Sequence, residues 1–146
     1  MQTFLPYSDF ALSAKCLDRA RLGKQRVEGM QILNACIFSS RWGNHPAVLM
    51  WRGCERALYA YVQAICCEWQ GRGYKDSVSD KIWTICLDEG VFHEPLILPP
   101  WLGREDFHLA HKSNLIRKDP EFYGRLWPDV PADLPYVWPV RKETGR

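Results

Sequence analysis

Hydrophobic and polar residues recur at helical spacing along most of the chain, beginning near Asp9. When residues 9–37 are placed at intervals of about 100°, one side of the helix carries mostly small or apolar residues, namely Cys16, Ala20, Gly23, Val27, Met30 and Asn34. The polar residues of the opposite side fall within an arc of roughly 80° and are Asp18, Arg21, Gln25 and Glu28. The pattern predicts one long first helix, which another helix approaches closely near Ala20 and Gly23.

The second predicted helix runs from 47 to about 70 and is apolar on most sides. A helix with only a narrow polar stripe is typical of the most buried position in a fold. Asn44 supplies a candidate N-cap, and Pro46 suits the first turn because its missing N–H would have no partner there. The Gly-Arg-Gly sequence at 71–73 ends this helix.

The rest of the chain predicts two further helices and an aromatic, proline-rich tail. A short helix is expected over about 77–87, an extended segment with three prolines over 90–103, and a last helix over about 104–118. No pair of strands is apparent, and no linker or repeat divides the chain. We therefore expect an all-α fold of three to four helices, forming a single compact domain over residues 1–146.

The distribution of charge is more informative than its total. The net charge of +2 is too small to identify a nucleic-acid binder, but the stretch from Lys15 to Glu28 holds five basic residues and two acids. A concentrated basic face is typical of a surface that binds phosphates. A helix face that is charged only for solubility gives the same pattern, so charge alone leaves both readings open.

The cysteines and the N-terminus bear on the cellular location. The six cysteines contain no Cys-x-x-Cys pair and mostly lie among apolar neighbours, which favours reduced, buried thiols over disulfides or a zinc site. The first ten residues lack the basic start and apolar run of a signal peptide. No stretch has the roughly 18 apolar residues that a membrane span needs. We expect a cytoplasmic protein without a membrane partner.

The segment 17–28, LDRARLGKQRVE, holds the most suggestive group of polar side chains. A carboxylate, two cations and an amide are predicted to share one exposed helix face. Asp18 with Arg21 and Lys24 with Glu28 stand three and four residues apart, so they also fit ordinary surface ion pairs. Spacing alone does not decide between a site and a solvated face.

Three histidines are candidates for chemistry. His45 lies in a loop before a proline, where it could contact phosphate, shuttle a proton or simply shape the turn. His108 and His111 are three residues apart with Asp106 nearby, a spacing compatible with a metal site. Without a third spaced ligand this signal is weak, and a polar helix face is the favoured interpretation. We therefore expect no metal.

The C-terminal region combines cations with aromatic rings. Arg117 and Lys118 are followed by Phe122, Tyr123 and Trp127. Cations suit phosphate contacts, and aromatic rings suit stacking on bases. The same rings could equally close the hydrophobic core.

The segment 17–28 resembles the first-helix motif of the pyrimidine-dimer DNA glycosylases of the phage endonuclease V type. In that motif a leucine-led run ends in an aromatic-Arg-Glu triplet. With the leading leucine on Leu17, the catalytic glutamate of the family falls on Glu28, while Arg26-Val27-Glu28 replaces the triplet and lacks its aromatic residue. Four further segments resemble the family in the same order, and these are MQTFLPY at the start, GNHPAVLMW, EWQGRGY at 68–74, and HKSNLIRKDPEFYGRLWP at 111–128.

The resemblance implies a DNA-repair N-glycosylase, with or without AP-lyase activity, acting on cyclobutane pyrimidine dimers in duplex DNA. Its nucleophile would be the N-terminal α-amine, here that of Met1, because Gln2 is too large for the usual removal of the initiator methionine. Glu28 would be the catalytic carboxylate. The resemblance and the patterns above together assign DNA contact to Arg21, Lys24, Gln25, Arg26, His45, Arg117, Lys118 and Tyr123.

No metal or organic cofactor is required by this chemistry, and we expect a monomer that binds double-stranded DNA. Two other functions remain open from the sequence. One is a glycosylase or nucleotide-processing enzyme for another modified base, and the other is a DNA-binding module without catalysis.

Overall fold

The computed structural model describes residues 1–38 and 40–139. Over these residues the chain forms seven α-helices and a short 3-10 helix at Val91–His93, and it contains no strand. The helices are α1 (Phe10–Cys16), α2 (Arg19–Ile37), α3 (Pro46–Leu49), α4 (Glu55–Gly71), α5 (Val78–Asp88), α6 (Glu105–Lys118) and α7 (Pro120–Leu126). The all-α prediction is confirmed, but the expected count of three to four helices is too low.

The predicted first helix is divided into α1 and α2. Leu17 and Asp18 adopt extended backbone, with ψ angles of 139° and 161°. Their backbone groups find partners elsewhere in the fold, since the N–H of Asp18 donates to the Tyr123 hydroxyl at 2.9 Å and Arg72 donates to the carbonyl of Leu17 at 2.8 Å. These long-range hydrogen bonds replace the helical ones, so the break is a tertiary feature.

The predicted core face of α2 is wrong by part of a turn. Ala20 and Val27 are exposed, and the buried residues of this helix are Leu22, Gln25, Gly29, Ile32, Leu33 and Ala35. The predicted close approach is confirmed at Gly23, where an added Cβ would lie 2.9 Å from the Trp69 ring of α4, and a second one occurs at Gly29, where it would lie 2.8 Å from Val62. The buried residues of α2 recur at the same helical spacing as the predicted core residues. Because Gln25 is one of them and is polar, the sequence pattern assigned this face to solvent.

The central helix α4 begins later than predicted. It contacts α1, α2 and α5, and its buried side includes Leu58, Val62 and Ile65. The chain before it forms the short α3 and then turns at Gly53, whose φ of +83° lies in the left-handed region that favours glycine. That turn separates α3 from α4 and prevents one continuous helix from 47 to 70.

The end of the chain contains one helix where a tail was predicted. Asp119 caps α7 by accepting the N–H of Phe122 at 3.1 Å, and Pro120 occupies the first helical turn. Residues 128–139 contain no helix, and the remainder of the predicted tail lies outside the described residues. Asp119-Pro120 therefore ends one helix and starts the next.

Two general features complete the fold. All six cysteines are free thiols, and burial raises the pKa of Cys16 and of Cys66 to about 12. Within the two described ranges, no helix combines the length and the apolar character that crossing a membrane requires.

Candidate active site

An open cavity of about 550 Å³ lies where the start of the chain meets the first half of α2. The N-terminal segment, residues 1–6, contributes three lining residues, which are Met1, Gln2 and Phe4. Helix α2 contributes four, which are Ala20, Arg21, Lys24 and Glu28. The sequence-predicted reacting groups, Met1 and Glu28, therefore border the same cavity.

Four residues from other parts of the chain complete the lining. His45 comes from the loop before α3, and Lys118 from the last residue of α6. Tyr136 and Trp138 come from the segment that follows α7. Positive charge, aromatic rings and one carboxylate thus meet in a single concave surface.

The Gln25 side chain holds the N-terminal segment against α2. Its Oε1 atom accepts the backbone N–H of Phe4 at 2.6 Å and the hydroxyl of Tyr61 at 2.7 Å, and its Nε2 donates to the carbonyl of Gln2 at 2.7 Å. Only 1% of Gln25 is exposed, so these hydrogen bonds form away from solvent. Because Glu28 lies one turn further along the same helix, the contacts hold residues 2–4 beside it.

Two histidines of α6 hold the next residue of the segment. The N–H of Leu5 donates to Nδ1 of His111 at 2.9 Å, and Nδ1 of His108 donates to the carbonyl of Leu5 at 2.7 Å. Nε2 of His108 accepts the N–H of Gly103 at 2.9 Å, so both rings act in their neutral forms. Burial lowers the pKa of His111 to about 3, and burial also lowers the pKa of His108.

These roles argue against the alternative of a metal site at the same histidines. Both ring nitrogens of His108 already have backbone partners. Among the residues that the structure describes, no group of three or more His, Cys, Asp or Glu could hold a metal ion. The histidines instead position the start of the chain.

The sequence of segment 17–28 allows two surface ion pairs, and one of them is present in the described part of the chain. Arg21 and Asp18 do pair, at 3.2 Å. Burial raises the pKa of Asp18, but hydrogen bonds from Tyr123 and Arg21 outweigh it and leave the pKa below its usual range. The pairs found in the described part of the chain do not include Glu28 with Lys24, so both side chains face the cavity without that contact.

His45 borders the cavity in a fixed orientation. It is the N-cap of α3, a position predicted for Asn44, and its Nδ1 accepts the N–H of Ala47 at 3.0 Å. An accepting Nδ1 requires a neutral ring with its proton on Nε2. Burial lowers the pKa of His45, and the positive charge of the N-terminal amine, whose residue lines the same cavity, lowers it further.

Four of the residues predicted to contact DNA do not line the cavity. Gln25 and Tyr123 are buried and hydrogen-bonded within the protein, Tyr123 to the carboxylate of Asp18. Arg26 pairs with Asp76, and Arg117 donates to the Asn114 side chain and, at 2.9 Å, to the carbonyl of Ala132. Each of these four side chains is therefore hydrogen-bonded or ion-paired within the protein and does not line the cavity.

A family model described as pyrimidine dimer DNA glycosylase matches residues 1–82, more than half of the 146-residue chain. The chain belongs to the pyrimidine dimer DNA glycosylase family. The matched range contains the cavity residues of the N-terminal segment and of α2, together with His45. Comparisons with curated proteins and with solved structures returned no match.

Within this family member, the cavity also contains residues that the sequence analysis missed. Tyr136 and Trp138 lie beyond the matched range, in a segment predicted only as a tail. Burial raises the pKa of Tyr136, nearby Arg117 lowers it and the carboxylate of Glu28 raises it. The one signal for Tyr136 and Trp138 in the sequence is its richness in aromatic residues. That richness does not show which rings lie outside the core.

Proposed function

We propose that the protein is a DNA N-glycosylase that releases damaged pyrimidines from duplex DNA, using the α-amine of Met1 and the carboxylate of Glu28. The observation that carries the proposal is that Met1 and Glu28 line one open cavity together with Lys24 and Lys118. Membership of the pyrimidine dimer DNA glycosylase family supports the reaction class. The specific lesion, a cyclobutane dimer, is part of the proposal.

In the proposed mechanism, the α-amine of Met1 acts as the nucleophile. In its neutral form it attacks C1′ of the sugar, and the bond from C1′ to the base breaks with its electron pair leaving on the base, which takes up a proton. α-Amines as a class titrate closer to neutral pH than lysine side chains, so a larger fraction is neutral. Loss of a proton from nitrogen, followed by cleavage of the C1′–O4′ bond and protonation of O4′, then gives an iminium ion.

The carboxylate of Glu28 stabilises the positive charge that develops on the sugar and accepts protons in the later steps. In the lyase step, a proton leaves C2′, the electrons form a double bond to C3′, and the 3′ phosphate departs. Hydrolysis of the remaining imine frees the amine. AP-lyase activity is therefore a consequence of the same intermediate and belongs to the proposal.

The cations of the cavity would hold the DNA backbone. Lys24 is exposed on α2 and Lys118 is exposed at the end of α6, so both can reach phosphates. Arg21 contributes less charge because Asp18 pairs with it. Attack at C1′ requires a distorted or flipped nucleotide, which these phosphate contacts would help to maintain.

Borohydride trapping tests the proposal, because reduction of the imine joins protein and DNA covalently. The expected result is a trapped complex on UV-irradiated duplex, with little on the unirradiated duplex, and mass spectrometry placing the DNA on the N-terminal peptide. A variant with one glycine before Met1 moves the amine by about 3.5 Å and should trap far less while binding DNA normally.

Other outcomes of this experiment would replace the proposal. Attachment of the DNA to a lysine would remove the Met1 amine from the mechanism. Trapping only on duplexes with a different modified base would change the substrate. Binding without base release on any duplex would leave a DNA-binding module.

A further inference from the structure

The buried hydroxyl of Tyr123 connects α7 to the start of α2. It accepts the backbone N–H of Asp18 at 2.9 Å and donates a second hydrogen bond to the carboxylate of the same residue. The ring is fully buried and stacks on Trp127, with the two centroids 5.7 Å apart. A core residue that cannot reach solvent therefore fixes both the backbone and the side chain of Asp18.

The carboxylate of Asp18 in turn orients the guanidinium of Arg21. One terminal nitrogen of Arg21 pairs with Asp18 at 3.2 Å, and the other donates to the backbone carbonyl of Lys118 at 3.4 Å. A guanidinium carries its donors in a rigid planar fork, so a contact on one side sets the direction of the other. We call Tyr123, Asp18 and Arg21 the positioning chain, which reaches from the core to the end of α6.

Arg21 supplies a donor that the end of α6 lacks within its own helix. Lys118 is the last residue of α6, and the carbonyl groups of a final helical turn have no helical partner. The ammonium of Lys118 lies 6.0 Å from the centroid of the Phe4 ring, and both residues line the cavity. The positioning chain therefore ends at a cation of the cavity.

The side chain of Lys118 is available to an anion. Lys118 is exposed, and the ion pairs found in the described ranges do not include it. Arg21, by contrast, shares its charge with the carboxylate of Asp18. This arrangement suits Arg21 to holding the end of α6 and Lys118 to contact with a phosphate.

We propose that Tyr123, Asp18 and Arg21 are positioning residues for DNA binding. They hold the end of α6 so that the ammonium of Lys118 meets a phosphate of the DNA backbone. A hydroxyl that does not line the cavity thereby controls a contact made in it. The inference rests on the proposed function in that DNA is the ligand of the cavity.

Double-mutant cycles of binding to an undamaged duplex, followed by fluorescence anisotropy, test the positioning chain. Tyr123→Phe keeps the buried ring and removes only the hydroxyl that holds Asp18. We expect the affinity to fall by about three- to tenfold, and by no more than about twofold when Lys118 is already alanine, because groups that act through one another are not additive. In a Lys24→Ala background the loss should persist in full.

Arg21→Lys tests the chain at a second position without changing the charge. A single ammonium lacks the fork that reaches Asp18 and the Lys118 carbonyl together. The affinity should fall as it does in Tyr123→Phe, and Lys118→Ala should again suppress the loss. Since Arg21 lies at the surface of α2, this variant decides the question even where Tyr123→Phe does not fold.

Tyr59→Phe is the matched control. The hydroxyl of Tyr59 accepts a hydrogen bond from Gln63 at 2.9 Å within α4, and the residue does not line the cavity. Its replacement also removes one hydroxyl from a packed ring, so it should leave the affinity for DNA unchanged. Melting temperatures of all variants report any general loss of structure.

Losses from Tyr123→Phe and Arg21→Lys that persist in full in the Lys118→Ala background would overturn the proposal. So would wild-type affinity in folded Arg21→Lys protein. The test needs no catalysis, so its failure is separate from that of the proposed function. Suppression by Lys118→Ala in a protein that releases no base would support the chain and reject the glycosylase, and base release with fully additive losses would do the reverse.

Discussion

The backbone N–H of Phe4 donates a hydrogen bond of 2.6 Å to the buried side chain of Gln25. This contact joins the start of the chain to the helix that carries Glu28. A buried polar side chain usually costs stability unless its hydrogen bonds are made, and here all of them hold the N-terminal segment or Tyr61. The position of Met1 in the cavity therefore depends on Gln25.

Replacement of this side chain should cost both stability and activity. Gln25→Ala leaves the N–H of Phe4 and the carbonyl of Gln2 buried without these partners, so the free energy of unfolding should fall by about 2–5 kcal/mol. Gln31→Ala is the matched control, since Gln31 is exposed on the same helix and should cost less than about 0.5 kcal/mol. Urea unfolding measures both values, and equal small losses would contradict the role of Gln25.

Glu28→Gln should abolish base release while the protein stays folded. Glu28 is half-buried at the cavity, so the amide removes the charge without leaving a void. We expect the rate on damaged duplex to fall by at least about a hundredfold, because a positioned acid or base contributes about 10²–10⁴-fold. Damaged DNA should bind as well or slightly better, because one negative charge near the phosphates is gone.

Glu121→Gln provides the control for this comparison. Glu121 lies on the exposed side of α7, outside the cavity lining, so its replacement should leave the rate unchanged. Single-turnover kinetics with saturating enzyme separate the chemical step from binding. Full activity of a folded Glu28→Gln protein would reject the assignment of this site.

Binding to undamaged duplex should depend strongly on salt through the lysines of the cavity. Each phosphate contact releases counterions and adds about 0.9 to the slope of log affinity against log salt concentration. Lys24→Ala and Lys118→Ala should each lower that slope by about this amount. Lys81→Ala, on the exposed side of α5, should leave the slope unaltered. If Lys24→Ala and Lys118→Ala kept the wild-type slope, as Lys81→Ala should, the cavity lysines would not be part of the DNA interface.

The buried histidines should make the fold sensitive to acid. Burial lowers the pKa of His111 to about 3 in the folded protein, whereas an unfolded chain has a histidine pKa near 6.5. Between these values the unfolded chain binds more protons, so stability is lost as the pH falls below about 6.5. The loss from this group approaches about 1.4 kcal/mol per pH unit at its steepest.

Denaturant unfolding at several pH values checks the contribution of His111. His111→Asn cannot titrate, so its stability should fall less steeply than that of the wild type between pH 6 and pH 4, and His108 and His45, whose pKa values are also lowered, contribute to the remaining slope. His93→Asn, an exposed replacement, should keep the wild-type slope. The same slope in His111→Asn as in the wild type would show that protonation of His111 does not oppose folding.

Local pattern in the sequence determined the helical class and much of the element order. Helix α5 and the last turn of α6 fall close to their predicted positions, because helical periodicity and Asp-Pro signals act between residues a few positions apart. The resemblance of segment 17–28 to the family motif, and not its spacing alone, pointed to Glu28, a carboxylate that lines the same cavity as Met1.

Only the tertiary structure decided which polar residues face inward. Gln25 was predicted on the exposed face, yet its partners are Phe4 and Tyr61, which are 21 and 36 positions away. The break at Asp18 depends in the same way on Tyr123, which lies 105 positions along the chain. A hydrogen bond satisfies a buried group only when the fold delivers its partner, and periodicity along one helix carries no information about that partner.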